Sequence, residues 1–438
     1  MKLTYHKGTI LLKGDYSIPN TKWDVRSGCY RSQALYYRDI IEYLEKSGIS
    51  YEDSVLDLVP CPDLSCKATL RGYQEDALER WLLQRKGVVV MPTGSGKTIL
   101  ALKIIEQVNS SVFIVVPTLD LVRQWKEELQ TFDIEIGEYT GEKKDLQAIT
   151  VSTYDSAYIN AENLGNRFKL LIFDEVHHLP GEGYRQIAEM FASPFRLGMT
   201  ATYEREDGLH EEIPRLLGGK VYEIQTDDLT GKYLSSYETK KILVELTKEE
   251  QKEYEQHHKT FRDYIVSRHI TMRGPNDFKK IVMRSGYDSK ARDAILARNK
   301  AERIAYNSKA KIDKIQELLS EEDRIIIFTR YNDMVYEISK RFFIPCITYR
   351  TDSHEREETF NKFKQGEYSV LVSSQVLDEG IDVPEANIGI IVSGTGSSRE
   401  YIQRLGRLLR PRENKKAVLY ELVTKGTKET RISYRRKK

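Results

Sequence analysis

Val88-Val89-Val90-Met91-Pro92-Thr93-Gly94-Ser95-Gly96-Lys97-Thr98 leads directly into the apolar-periodic stretch ILALKIIEQ. The three β-branched residues read as a strand and the stretch after Thr98 as a helix. A glycine-rich loop therefore sits between strand and helix, in the order that a phosphate-binding P-loop requires. Its glycines let successive backbone N–H groups converge on phosphate oxygens, and the helix N-terminus adds its dipole. On this reading Pro92, Thr93, Gly94, Ser95 and Gly96 line a nucleotide, Lys97 reaches its β- and γ-phosphates, and the Thr98 hydroxyl binds Mg²⁺. One position departs from the GxxxxGK[ST] pattern: Met91 stands where its first glycine would be.

Downstream, the apolar run KLLIF ends in Asp174-Glu175-Val176-His177. Whatever follows a strand buried in a parallel sheet lies at its carboxyl end, the side on which open α/β sheets bind ligands. Two adjacent carboxylates there have distinct tasks. Asp174 is expected to hold Mg²⁺ through its water shell, and Glu175 to orient and polarise an attacking water.

The same rhythm extends outward. GVVVM, SVFIVV, AITVS, KLLIF and FRLGMT alternate with helical stretches from about residue 69 to 225, the pattern of βαβ units around a buried parallel sheet. It resumes at RIIIF, CITYR, SVLVS, NIGIIVS and KAVLYEL. Between the two, residues 240–305 read as polar, basic and helical, with no strand signal. Residues 1–68 combine short strand-like runs such as GTILLKG with one helical pattern, SQALYYRDIIEYLEKSG, and end in a proline-rich linker. The expected fold is α/β: a small N-terminal α+β domain (1–68), one parallel-sheet lobe (69–225), a helical insertion (226–305) and a second lobe with a basic tail (306–438).

Composition agrees. The chain has 438 residues, 40 % hydrophobic and 31 % charged, which suits a soluble globular protein of roughly three domains at about 100–200 residues each. No run approaches the ~18 consecutive apolar residues of a membrane span, and the N-terminus has no continuous apolar core of a secretory signal. Four cysteines exclude a disulfide scaffold and fit a reducing cytoplasm. Cys61 and Cys66 have no second Cys/His pair nearby to complete a zinc site. Net charge is only +2, but Lys240–Lys311 carries 18 Lys/Arg against 10 Asp/Glu, and Lys425–Lys438 carries 7 against one. Alone, such runs are solvated faces and a frayed tail.

Taken together, MPTGSGKT, DEVH, Gly198-Met199-Thr200-Ala201-Thr202 and Gln403-Arg404-Leu405-Gly406-Arg407-Leu408-Leu409-Arg410 resemble the superfamily 2 helicases in content and order. LRGYQ before the P-loop, VPTLDLVRQW after it and VLDEGIDVP further on are similar to the same superfamily. Arg205-Glu206-Asp207, DEVH and the basic helical insertion resemble the XPB family (xeroderma pigmentosum group B helicases), and WDVRSGCYRSQALYYRDI looks like the damage-recognition-like domain of its archaeal members.

The resemblance implies two RecA-like lobes, a DNA-clasping helical thumb, and an ATP-dependent, 3′→5′ DNA helicase or translocase using ATP and Mg²⁺ in repair or transcription. It implies Arg407 and Arg410 as arginine fingers and Gln403 as a bridge to the nucleotide. Gly380 and Asp382 would lie near the ribose, and Arg71 and Gln74 near the adenine. It further implies Thr118, Arg123, Thr329 and Arg330 as phosphate-backbone contacts. His177, Thr200, Thr202, Arg205, Glu206 and Asp207 would couple nucleotide state to DNA. Tyr254, Phe261, Tyr264, Phe278 and Tyr287 fall at helical spacing and read mostly as core. Expected partners are duplex, forked or bubble DNA and a nuclease or transcription/repair factor, with the chain monomeric or heterodimeric, cytoplasmic and off the membrane. An RNA-directed helicase and an ATP-switched scaffold are the competing readings; ATPase stimulation by RNA or DNA decides the first, and strand displacement the second.

Overall fold

The computed structural model describes residues 1–438 apart from 15–16, 206, 230–236, 273–274, 320–323, 375–385, 394–416 and 431–438. Glu206, Gly380, Asp382, Gln403, Arg407 and Arg410 lie outside the described residues. The chain divides into two compact units, residues 1–229 and the described residues that follow.

The first unit begins with β1 (Lys2–His6), β2 (Thr9–Lys13), β3 (Lys22–Asp24), β4 (Cys29–Gln33), α1 (Tyr37–Lys46) and β5 (Glu52–Ser54). These strands form a sheet in the order β3-β4-β2-β1-β5, antiparallel except where β5 joins β1. Helix α1 buries Tyr37, Ile40 and Leu44 in one cluster with Leu3, Ile10 and Leu12. This domain is bonded to the lobe that follows. The Tyr5 hydroxyl donates to the carbonyls of Met190 (3.0 Å) and Glu162 (3.1 Å), and burial pushes its phenol up to about 12. A Cβ on Gly165 would stand 2.2 Å from both Tyr5 Oη and the Met190 carbonyl, so glycine is what permits the approach.

The lobe comprises α2 (Gly72–Gln84), β6 (Lys86–Val90), α3 (Lys97–Val108), β7 (Val112–Val116), α4 (Leu119–Leu129), β8 (Ile136–Tyr139), β9 (Ile149–Thr153), α5 (Tyr154–Leu164), β10 (Leu170–Phe173), α6 (Arg185–Met190), β11 (Phe195–Thr200), α7 (Ile213–Leu217) and β12 (Lys220–Glu223), with a short α8 (Thr226–Leu229). Its sheet runs β12-β6-β11-β10-β7-β9-β8, parallel throughout. Every residue of β7 and β10 is buried, which is why both read as unbroken apolar runs: helices cover both faces of a parallel sheet. The one charged residue within β11, Arg196, is buried and donates to the carbonyls of Ser193, Ala188, Leu216 and Phe191.

The second unit comprises β13 (Tyr237–Val244), α9 (Lys248–Ser267), α10 (Pro275–Arg284), α11 (Ser289–Tyr306), α12 (Lys309–Leu318), β14 (Ile325–Phe328), α13 (Asn332–Phe342), β15 (Cys346–Ile347), α14 (Ser353–Gln365), β16 (Val370–Ser373), β17 (Ile388–Ile391) and β18 (Ala417–Thr424). Its sheet, again parallel, runs β13-β18-β17-β14-β16-β15. Helices α9–α11 interrupt it as an insertion. Phe261, Tyr264, Ile281, Ala291 and Ala294 form the insertion's own core, and Tyr254 packs with Ala301 and Ala305. Tyr287 departs from the core reading, being 81 % exposed.

Strand β13 corrects the expectation that residues 240–305 carry no strand. It pairs along its whole length with β18, so the helical insertion proper starts at Lys248. Strands β8 and β12 were also absent from the sequence reading. All three lie at sheet edges, where one flank faces solvent and charged residues suppress pairing between sheets; Lys240, Lys241 and Glu238 thereby masked the period of β13.

In the second unit Lys311 and Glu429 form an ion pair at 2.8 Å, 0 % and 1 % exposed. Lys311 also donates to the Val392 carbonyl (2.6 Å), and Glu429 accepts from the Thr424 N–H (2.9 Å). Removing one partner strands the other's charge in the interior. Lys311→Ala is expected to destabilise this unit by about 3–5 kcal/mol, read as a lowered denaturation midpoint; an unchanged midpoint would show that the pair contributes nothing.

Candidate nucleotide site

The P-loop joins the carboxyl end of β6 to the N-terminus of α3. Gly94 and Gly96 have φ of +84° and +81°, a region that only glycine enters without penalty. Around them the loop is held by short polar contacts. Ser95 Oγ donates to the Pro92 carbonyl (2.6 Å), and Tyr73 Oη to that of Ser95 (2.7 Å). The Lys97 ammonium donates to the carbonyls of Met91 (3.1 Å) and Pro92 (3.4 Å). Met91 is wholly buried and its N–H bonds to the Thr200 carbonyl at 3.0 Å. The side chain at the position where the motif has glycine is therefore part of the buried interior.

Gln74 is 98 % buried. Its Oε1 accepts from the Arg71 N–H (2.8 Å), and its Nε2 donates to the carbonyls of Ser95 (3.0 Å) and Gly96 (3.1 Å). It therefore caps α2 and braces the P-loop at once. In this structure both ends of the amide are engaged by the protein's own backbone.

Asp174 and Glu175 follow β10 as the sequence suggested. The Asp174 carboxylate is held at both oxygens, by the Trp125 indole N–H on Oδ2 (2.9 Å) and the Glu175 N–H on Oδ1 (3.0 Å). Tyr154 Oη donates to the Asp174 carbonyl at 3.0 Å; burial and the two neighbouring carboxylates raise its phenol far above the usual range. Glu175 takes a left-handed conformation, φ +46°, so the chain turns sharply into His177.

From there a continuous polar path runs along the carboxyl ends of β10 and β11. His177 Nδ1 lies 3.2 Å from Thr200 Oγ1 and 3.4 Å from Glu175 Oε2. The Thr200 hydroxyl proton is already directed at the Thr202 carbonyl (2.7 Å). A proton on Nδ1 would have the Thr200 and Glu175 oxygens as its two acceptors. Arg205 then donates to the His177 carbonyl and forms a two-pronged bond with Asp207, at 2.6 and 2.9 Å. That guanidinium holds the Asp207 carboxyl well below the usual carboxylate range.

The expected DNA contacts are more dispersed. Thr118 Oγ1 accepts from the Leu121 N–H as the N-cap of α4. Arg123 lies on α4, half exposed, 3.6 Å from Asp120. Thr329 is wholly buried, with its hydroxyl 3.0 Å from Ser393 Oγ at the turn after β14. The neighbouring Arg330 is exposed.

Residues 3–55 match the family model for the xeroderma pigmentosum group B helicase damage recognition domain, residues 67–205 that for the type III restriction enzyme res subunit, and residues 310–412 that for the helicase conserved C-terminal domain. The chain is 47 % identical over 438 residues to the DNA 3′-5′ translocase XPB2 of Sulfurisphaera tokodaii, covering 99 % of each. The chain belongs to the XPB family. It is also 30 % identical to the DNA 3′-5′ helicase XPB of Mycobacterium tuberculosis and 28 % identical to the XPB subunit of transcription and DNA repair factor IIH of Dictyostelium discoideum, spanning 63 % and 46 % of their lengths. The Hef helicase domain of Pyrococcus furiosus shares the fold, with a TM-score of 0.55 at 20 % identity, over 84 % of this chain and 98 % of that one.

Within this XPB-family site, the donor set fits a nucleotide with Mg²⁺. Thr93 Oγ1 is buried at the P-loop without a hydrogen-bond partner, as a group awaiting a polar ligand would be. Thr98 and Asp174 offer hard oxygen ligands of the kind Mg²⁺ takes alongside phosphates and water. Three site residues escaped the sequence reading: Tyr73, Trp125 and Tyr154. Trp125 lies within VPTLDLVRQW, where nothing in the spacing shows that its N–H reaches a carboxylate 49 residues on.

The burial of Met91 has a direct test. Met91→Ala is expected to cost about 2–5 kcal/mol, and Met91→Gly, which restores the motif residue, no less. Thermal denaturation measures it; a Met91→Gly protein as stable as the parent would refute a packing role.

Proposed function

We propose that this chain is an ATP-driven motor that moves 3′→5′ on DNA, in repair or transcription. The observation that carries the reading is the polar path from the Asp174–Glu175 pair through His177 to Arg205 and Asp207, with Thr200 branching from His177, in a chain 47 % identical to a DNA 3′-5′ translocase. Such a path lets the state of a γ-phosphate be felt at the segment that sets this family apart.

Hydrolysis makes a bond between water and the γ-phosphorus and breaks the one to the β–γ bridging oxygen. Lys97 exchanges its loop carbonyls for phosphate oxygens, a stronger charge-assisted partner. Glu175 orients the attacking water. Thr98 and Asp174 would hold Mg²⁺, which would supply positive charge against the phosphates. Gln74 gives up its bonds to the Ser95 and Gly96 carbonyls to meet the adenine beside Arg71; on the sequence resemblance, Gly380 and Asp382 serve the ribose. Gln403, Arg407 and Arg410, on the sequence resemblance, bring positive charge to the γ-phosphate, an effect of about 10³–10⁵ in rate. Arg123, Arg330 and the basic helices α9–α11 grip the phosphate backbone, which gives affinity without sequence reading. A nuclease or a transcription/repair factor is the proposed protein partner.

ATPase rates with single-stranded, duplex and forked DNA and with RNA test this directly. Stimulation by DNA well above that by RNA is expected; the reverse order would overturn the choice of nucleic acid. Lys97→Ala is expected to abolish hydrolysis while DNA affinity persists, and near-normal turnover would remove the P-loop assignment. Arg407→Ala should lower turnover by about 10³ or more with little change in ATP affinity; an unaltered rate takes Arg407 out of the site.

A further inference from the structure

Helix α4 has two different sides. Leu121, Val122, Trp125 and Leu129 are buried, while Arg123 is half exposed. Trp125 is 2 % exposed and directs its one N–H, 2.9 Å long to the acceptor, at Asp174 Oδ2. An indole N–H has no acceptor capacity and a single direction. Buried, it must keep a partner, because losing one leaves both the donor and the carboxylate lone pair unsatisfied. The other Asp174 oxygen takes the Glu175 N–H, and the backbone is pinned by Tyr154 Oη and by the bond from the Asp174 N–H to the Val115 carbonyl. The Glu175, Tyr154 and Val115 contacts come from the sheet's own carboxyl edge or the helix start beside it. Among the described residues, only the indole ties the carboxylate to the helix that bears Arg123.

We propose that Trp125 is a positioning residue: its N–H sets the rotation of the Asp174 carboxylate, so that α4 and the divalent-cation site move together. A nucleic acid drawing on Arg123 shifts α4, and the indole carries that shift to the carboxylate that holds the cation. The inference rests on the reading of Asp174 as the Mg²⁺ carboxylate. Hydrogen-bond partners of metal-holding groups commonly change metal affinity by about 10–100-fold when removed.

The test is the Mg²⁺ concentration needed for half-maximal binding of a fluorescent ADP, read by fluorescence without turnover, in the full chain. Trp125→Phe keeps the ring and deletes the N–H. Leu121→Ala disturbs the same buried face and leaves the indole intact. The Mg²⁺ requirement is expected to rise about tenfold in Trp125→Phe and to stay close to the parent's in Leu121→Ala, with the affinity for Mg²⁺-free ADP alike in all three. An unchanged requirement in Trp125→Phe overturns the proposal, and so does an equal rise in Leu121→Ala, which would mean that loosened packing suffices. Asp174→Asn separates the two levels. If it too leaves the requirement unchanged, Asp174 is not the Mg²⁺ carboxylate and the underlying reading fails; if it raises the requirement while Trp125→Phe does not, only the indole's role is lost.

Discussion

The parallel pairing of β6, β11, β10 and β7 is the constraint on which the site depends. Parallel strands in register end on one side, so the segments after Val90, Phe173 and Thr200 emerge together although more than a hundred residues separate the first from the last. Met91 links two of these exits: its N–H donates to the Thr200 carbonyl, and its side chain is wholly buried. The P-loop, the carboxylate pair and the Thr200 segment are thus three exits of one sheet, and their mutual geometry is as rigid as its hydrogen bonds.

On that edge, side-chain contacts replace flexibility with direction. Gln74 and Tyr73 hold the P-loop from one side; Trp125, Tyr154 and the Glu175 N–H hold Asp174 from the other. Most of these donors are neutral groups in buried surroundings, where a hydrogen bond is strong and an unpaired polar atom costly. Charge is concentrated instead where it is needed, on Lys97 and the two carboxylates. The Arg205–Asp207 pair lies nearer solvent, and its contribution to stability is correspondingly small; its bond to the His177 carbonyl is the feature that joins it to the site.

The N-terminal domain is part of the same body. Tyr5 at the Gly165 turn and the backbone bonds of Asp57 and Val59 to Asn166 and Arg167 make it continuous with α5 and α6 of the lobe.

The sequence alone determined the central strands of the two parallel sheets and, in the first, the loop residues at its carboxyl edge. Strands covered on both faces are forced to be continuously apolar, and a phosphate loop must have glycines at left-handed positions; both leave a local trace, in GVVVM and KLLIF and at Gly94 and Gly96. The edge strands β8, β12 and β13 left none, since half of their surface is free to be charged. Nor did local sequence reveal that Met91 is buried, that Thr329 points inward, or that Gln74 braces the P-loop. Only the tertiary structure decided that Trp125 meets Asp174, because a hydrogen bond across 49 residues depends on where two elements come to rest, and no spacing along the chain encodes that distance.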